Sequence, residues 1–291
     1  MKREVQITAV RIEGAGAGIP AHWQRSLRRA DDFSRLAVLA GVGAMGMEAG
    51  AEAEASVEKN RPEIGVFLGT STGPLETNFR FLDTLFDNGE GQASPTLFSH
   101  SVHNAAVGYL TRLLNLQGPA LTLTAPGWPF LAALAEAKAA LEQPGLAAAL
   151  VVAAEEESPL LAEARQRLGG QARGEQRAED SATPPGVAAC RLGAVAWLLE
   201  AVEPGAAGDL PRLREIVLEE KPADAAFYLL RSGEQFRPSA MPGGWPAEAP
   251  RSLAAALSLS HALEEYTHRA EAALHWQASA PCGRAEVLIE R

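Results

Sequence analysis

The residues 121–145, LTLTAPGWPFLAALAEAKAALEQPG, read as an apolar strand, an abrupt turn and a long alanine-rich helix. In strand–turn–helix folds such a turn holds a nucleophile at a helix N-terminus, where a thiol or hydroxyl is activated. Here the turn is APGWP, with no Cys, Ser, Lys or acid in it. Other residues with chemical potential are scattered. His100 and His103 in SHSVHN lie three apart, which could begin a metal site, but no third ligand type clusters near them in sequence. Glu155, Glu156 and Glu157 follow an apolar run and could act as general bases; the plainer expectation is a solvated run, or one that caps the following helix. Cys190 and Cys282 are single thiols that fit no zinc spacing and are too few for a disulfide framework. His261, His268 and His275 are seven apart, a spacing that would put them near one face of a single helix.

The elements that would position these groups alternate. VQITAVRIEG is a strand. ADDFSRLAVLAGVGAMGMEAG reads as a buried helix, with Gly41, Gly43 and Gly46 permitting close packing and Gly50 just past its end. EIGVFLGTSTG is a continuous apolar run, as expected for a strand covered on both faces. PLETNFRFLDTLFDNG carries Phe79, Leu82, Leu85 and Phe86 at helical spacing. SPTLFSHSVHNAAVGYLTRLLNLQGP reads as a loop and then a helix, with Asn104 placed to cap it. ALTLT is a strand, PFLAALAEAKAALEQ a helix and LAAALVVAAEEE a buried strand. The polar, Pro/Gly-rich residues 169–186 form a loop excursion. CRLGAVAWLLEAV closes a first half, 1–202. In a thinner second half, 203–291, PRLREIVLEE and RAEVLIE read as strands and SLAAALSLSHALEEYTHRAEA as a helix. The alternation implies an α/β protein with a largely parallel sheet.

The formal net charge of −10 and a pI near 5.2 argue against nucleic acid or an anionic membrane as partner. The N-terminus MKREVQITAV is not a signal peptide, and Leu146–Ala154, the longest apolar run, is too short to span a bilayer. A cytoplasmic protein is the expectation.

Several stretches, in order, resemble the β-ketoacyl synthase family of the thiolase fold. RRADDFSRLAVLAG resembles its first helix. GVFLGTSTGPLET is similar to GxxxGTxxGxxET. SHSVHNAAVGYLTRLLNLQGP is similar to xNSxxNxxxGxxxxxLxxxGP, with Ser101, Asn104, Gly108, Gly118 and Pro119 in place. RLGAVAWLLE resembles the strand closing the first half, and SAPCGRAEVLIER the last loop and strand. The resemblance implies a layered helix–sheet–helix fold with a shortened second half. It places Pro126 where the family keeps its reactive cysteine, and it finds no counterpart of the two catalytic histidines. The pattern resembles the cysteine-less chain-length-factor type of subunit, closest to the short form of aryl-polyene pathways. That form carries a Gly-aromatic-x-aromatic element, which Gly127, Trp128 and Phe130 match. Gly-Trp-Pro corners also occur for structural reasons alone.

The resemblance implies Trp128, Phe130, Gly127 and Cys282 beside an acyl tunnel. It places Ser101, His103, Asn104 and the strand Leu121, Thr122, Leu123, Thr124 at a subunit interface. It implies no cofactor and no metal, a cysteine-bearing β-ketoacyl-ACP synthase as partner, and an acyl carrier protein docking mainly on that partner. Two readings stay open beside it. One is a stand-alone acyltransferase or thioesterase using Cys282, a histidine or a water. The other is a homodimeric scaffold that holds an acyl chain.

Overall fold

The computed structural model describes residues 2–14, 18–47, 63–125, 127–158, 163, 191–219, 228–231, 234–236, 253–268, 271–280 and 283–291. Pro126, Cys190, Cys282, Gly50 and the excursion 169–186 lie outside the described residues.

The strands are β1 (Glu4–Gly14), β2 (Ile64–Thr70), β3 (Ala120–Thr124), β4 (Ala148–Glu157), β5 (Arg191–Val202), β6 (Arg212–Glu219), β7 (Tyr228–Arg231), β8 (Glu234–Phe236), β9 (Ala273–Ala280) and β10 (Gly283–Glu290). They form one sheet in the order β3-β2-β4-β5-β1-β6-β10-β9-β7-β8. The helices are α1 (Ala21–Gln24), α2 (Asp32–Ala44), α3 (Leu75–Asn88), α4 (Pro95–Ser101), α5 (Ala105–Leu113), α6 (Pro129–Leu141) and α7 (Ala254–His268).

Period-two alternation splits the core into two layers. On β4, Ala149, Val151 and Ala153 face one cluster, with Phe67, Trp197 and the inner sides of α6 and α7. Leu150, Val152 and Ala154 face the other, with Val66, Leu68, α2 and α5. The expected helix–sheet–helix layering follows directly, and β2 is buried on both faces along all but its first residue. Two polar anchors inside the core tie α7 to the sheet. Trp197 Nε1 donates to Ser260 Oγ at 2.8 Å, and Trp276 Nε1 donates to Ser258 Oγ at 3.1 Å. Both serines lie on α7, so these indoles fill the core without leaving an N–H unpaired.

Four expectations change. The sheet is parallel only where β2 meets β3 and β4; the remaining described pairings are antiparallel. Helices α3 to α5 join β2 to β3, and α6 joins β3 to β4, the crossovers that parallel strands need. The segment 95–104 is not all loop, because Ser94 Oγ accepts from Leu97 N at 3.3 Å and Pro95 opens α4. His275 is not on the helix of His261 and His268, since α7 ends at His268 and His275 stands on β9. Finally, α2 stops at Ala44 rather than near Gly50. Gly46 takes φ +67°, a left-handed conformation that ends a helix, whereas Gly41 does permit close packing: a Cβ there would sit 2.6 Å from Leu110.

Candidate functional site: a strand–helix corner and the sheet edge beside it

β3 ends at Thr124 and α6 begins at Pro129, so the corner is made of residues 125–128. Two hydrogen bonds tie its first residue to the turn after β2. Ala125 N donates to Thr70 O at 3.2 Å, and Ser71 Oγ donates to Ala125 O at 3.2 Å. Pro129 occupies the first helical position, where its missing N–H costs nothing. Trp128 is the N-cap residue with φ −127° and ψ 57°, short of the fully extended backbone that a following proline favours. Its indole is buried, and Phe130 is fully buried with its ring edge-on to Trp197, centroids 5.4 Å apart. Gly127 is half-buried.

The turn following β2 explains GTSTGPLET residue by residue. Gly69 lets α6 press against β2: a Cβ there would meet Pro129 O at 2.0 Å. Thr70 Oγ1 accepts from Gly73 N at 2.9 Å and donates to Glu155 Oε2 at 3.3 Å. Gly73 takes φ +61°, and a Cβ there would strike the His103 ring at 2.5 Å. Glu76 N donates to Glu156 Oε1 at 2.6 Å, and Thr77 Oγ1 donates to Asp31 Oδ2 at 3.0 Å. Asp31 in turn accepts from Ser34 N at 2.9 Å as the N-cap of α2.

Glu155 and Glu156 are therefore not solvated; the Glu157 side chain lies outside what the structure describes. Glu155 and Glu156 are 1% and 4% exposed, because β4 runs on through them. Glu155 accepts from Ser71 N, and Glu156 caps α3, which precedes it in sequence, rather than a following helix. Burial pushes both carboxyls up to about 7, against the lowering pull of the N–H and O–H groups that donate to them. For Glu156, neighbouring Asp31 and Glu76 add to the rise.

The predicted interface residues fall on or beside the end of the sheet. Among the described strands β3 stands at the edge with β2 as its neighbour, and Leu121 is 46% exposed. Thr122 and Leu123 are half-buried, and Thr124 is exposed. Ser101 is buried, its Oγ donating to Phe98 O at 2.9 Å. His103 packs on Gly73. Asn104 stands at the N-cap of α5, but its side chain makes no capping bond, because φ −88° and ψ 3° depart from the extended backbone that capping uses. The apolar stripe of α3 is not a core face either. Phe86 is 81% exposed and Phe98 on α4 58%, while Phe81 contacts Phe98 with centroids 5.3 Å apart. Sequence periodicity finds such a stripe without saying what covers it.

Among the described residues no three His, Cys, Asp or Glu side chains gather to hold a metal ion. His100 is engaged otherwise: Nδ1 lies 2.7 Å from Thr96 O and Nε2 2.7 Å from Tyr109 OH. No described helix is long and apolar enough to cross a membrane.

Residues 28–168 match the family model of the β-ketoacyl synthase N-terminal domain. No curated protein sequence matches the chain. Among solved structures, a β-ketoacyl synthase from Burkholderia phymatum STM815 is similar at 19% identity and a TM-score of 0.56. That match covers 77% of this chain and 65% of the other, so this chain spans about two-thirds of its relative's length. A chain from the complex of the ketosynthase ApeO with its chain length factor ApeC, from Xenorhabdus doucetiae, is 20% identical. Its TM-score is 0.54, and 99% of each chain is covered. The ishigamide ketosynthase/chain length factor is also 20% identical, with a TM-score of 0.53 and coverage of 74% and 67%. The chain thus carries a thiolase-like α/β fold with a β-ketoacyl-synthase-like domain.

Proposed function

We propose that the protein is a non-catalytic, chain-length-factor-like subunit. In this reading residues 1–202 form a synthase-like half and 203–291 a reduced second half. The chain pairs with a cysteine-bearing β-ketoacyl-ACP synthase and shapes its acyl or polyene tunnel in fatty-acid- or polyketide-type biosynthesis. The observation that carries the reading is the corner itself. A strand ends at Thr124 and a helix begins at Pro129, where a nucleophile would be activated, yet the sequence between them, Ala125, Pro126, Gly127 and Trp128, supplies none. An unpaired edge strand beside it supports a partner, since an open edge invites another strand. The similar folds drawn from complexes of a ketosynthase with a chain length factor support the same assignment. Trp128, Phe130, Gly127 and Cys282 are assigned to the tunnel side. Ser101, His103, Asn104 and β3 are assigned to the interface. No cofactor is required, and the carrier protein engages the complex mainly through the catalytic partner.

One observation favours a second reading, a stand-alone acyltransferase or thioesterase. Ser71, bonded to the corner through Ala125 O, also donates its N–H to the buried Glu155. Co-expression separates the two. The subunit reading predicts a stoichiometric complex with a cysteine-bearing synthase, weakened at least tenfold by Leu121→Lys, a change at an exposed site that leaves the fold intact. Trp128→Phe in that complex is expected to shift the product-length distribution. Failure of any such synthase to co-purify, together with turnover of acyl-carrier substrates by this chain alone, would establish the second reading instead.

A further inference from the structure

The chain carries 26 Lys and Arg against 36 Asp and Glu, yet four exposed arginines line one open surface cavity. Arg25, Arg28 and Arg29 come from the turns that follow α1, and Arg112 from α5. The cavity measures about 450 Å³ and no carboxylate lines it. Other arginines of the chain are matched: Arg35 pairs with Asp32 at 2.9 Å, and Arg212 and Arg214 both pair with Glu4. Among the described residues none of the four cavity arginines has a carboxylate partner. Gathering like charges raises the electrostatic energy of the fold unless an anion arrives to offset it.

One wall is arranged in advance. Thr96 O can only accept, so His100 Nδ1 carries the hydrogen at that 2.7 Å contact. In the neutral ring, Nε2 is then the acceptor for Tyr109 OH, also at 2.7 Å. The two rings stack with centroids 5.7 Å apart and 18° between planes. Arg112 lies over the other ring system, its Cζ 5.4 Å from the Tyr109 centroid. A guanidinium held on an aromatic face has less freedom to lose when it binds. The floor beside it is Gly108, where an added Cβ would meet nothing within 4 Å.

We propose that this cavity is a binding site for the phosphate group of a small ligand, a diphosphate or a phosphate monoester. The planar guanidinium fork matches phosphate oxygens two at a time. Four such forks exceed what one carboxylate could occupy and suit a multiply charged anion. The volume lies within the usual range for small-molecule sites, roughly 300–1,000 Å³. No residue of the corner at 125–128 lines the cavity, so the proposal does not rest on that corner, although Ser99, His100 and Ala105 flank the segment 101–104 assigned to the interface.

The test is calorimetric titration of the purified full chain with inorganic pyrophosphate, beside sodium sulfate and sodium chloride at matched ionic strength. Saturable one-site binding of pyrophosphate is expected, tighter than sulfate. Affinity should fall at least tenfold in R28E/R112E and stay unchanged in Arg284→Glu, an exposed change on β10. If the double variant melts early, Arg28→Gln and Arg112→Gln are read singly. Heat that merely tracks ionic strength, or binding indifferent to R28E/R112E, overturns the proposal. So does an acidic carrier protein that binds this face in an R28E/R112E-sensitive way while pyrophosphate fails to saturate, since the face would then dock protein rather than a small phosphate.

Discussion

The double variant E155Q/E156Q is expected to be more stable than the parent at pH 8, and no more stable at pH 4.5. Both carboxyls have folded-state values near 7 against an ordinary 4.5, so between those two pH values the folded chain binds more protons than the unfolded one. Stability must then fall as pH rises through that window and level off above it. Below about 4.5 both groups are protonated in either state and cost nothing. A shift of that size corresponds to about 3 kcal/mol for each group at most, at 1.36 kcal/mol per unit. Glutamine removes the charge and keeps a carbonyl to accept from Ser71 N or Glu76 N. Its amide can donate to Thr70 Oγ1, which now donates to Glu155. Thermal melts at pH 4.5, 6 and 8 should show the parent losing on the order of 10 °C across the window, and the variant losing much less. A variant that melts below the parent at pH 8 would mean that the charged carboxylates hold the N-terminus of α3 more strongly than burial penalises them.

Gly69→Ala should be the most damaging of the glycine-to-alanine changes among the described residues. The new Cβ would lie 2.0 Å from Pro129 O, 2.4 Å from Pro129 C and 3.0 Å from Phe130 N. All three are backbone atoms of the first turn of α6, so no rotamer change relieves the clash. β2 and α6 would have to part by more than 1 Å across a close-packed layer, at a cost of about 3 kcal/mol or more. Gly69 is not in the left-handed region, so the effect is steric and not conformational. Gly14→Ala, with nothing within 4 Å, serves as the neutral comparison. Urea unfolding of the pair measures the difference. A Gly69→Ala protein within 0.5 kcal/mol of the parent, on the order of an ordinary surface change, would show that the corner is not pressed against β2.

Much of this arrangement was readable from residue order alone, and the reasons for the rest are specific. EIGVFLGTSTG declared a two-sided strand because no polar residue interrupts it, and its Gly and Thr positions turned out to be contact and hydrogen-bond positions. Glu155 and Glu156 depart from the expectation because a run of acids ordinarily seeks water. The compensating signal lay 80 residues away, in turn N–H groups at Ser71 and Glu76 that needed acceptors. The stripe on α3 was visible as a stripe, but periodicity does not distinguish a core from an outward face, and Phe86 is outward. The seven-residue spacing of three histidines suggested one helix, whereas a helix end at His268 and a strand from Ala273 divide them. Strand direction is not legible because alternation of strand and helix does not say which strands become neighbours: α2 separates β1 from β2 and α7 separates β8 from β9, yet neither pair lies side by side in the sheet.

The proposed subunit role requires that no residue of this chain take up the acyl group. Intact-mass spectrometry addresses this most directly: the purified chain, alone and mixed with a cysteine-bearing synthase, is incubated with acylated carrier protein. The expected spectrum shows the acyl mass on the synthase alone, with this chain unmodified in both mixtures. An acyl adduct on this chain in the absence of the synthase, at Ser71, Cys282 or any other residue, would contradict the account.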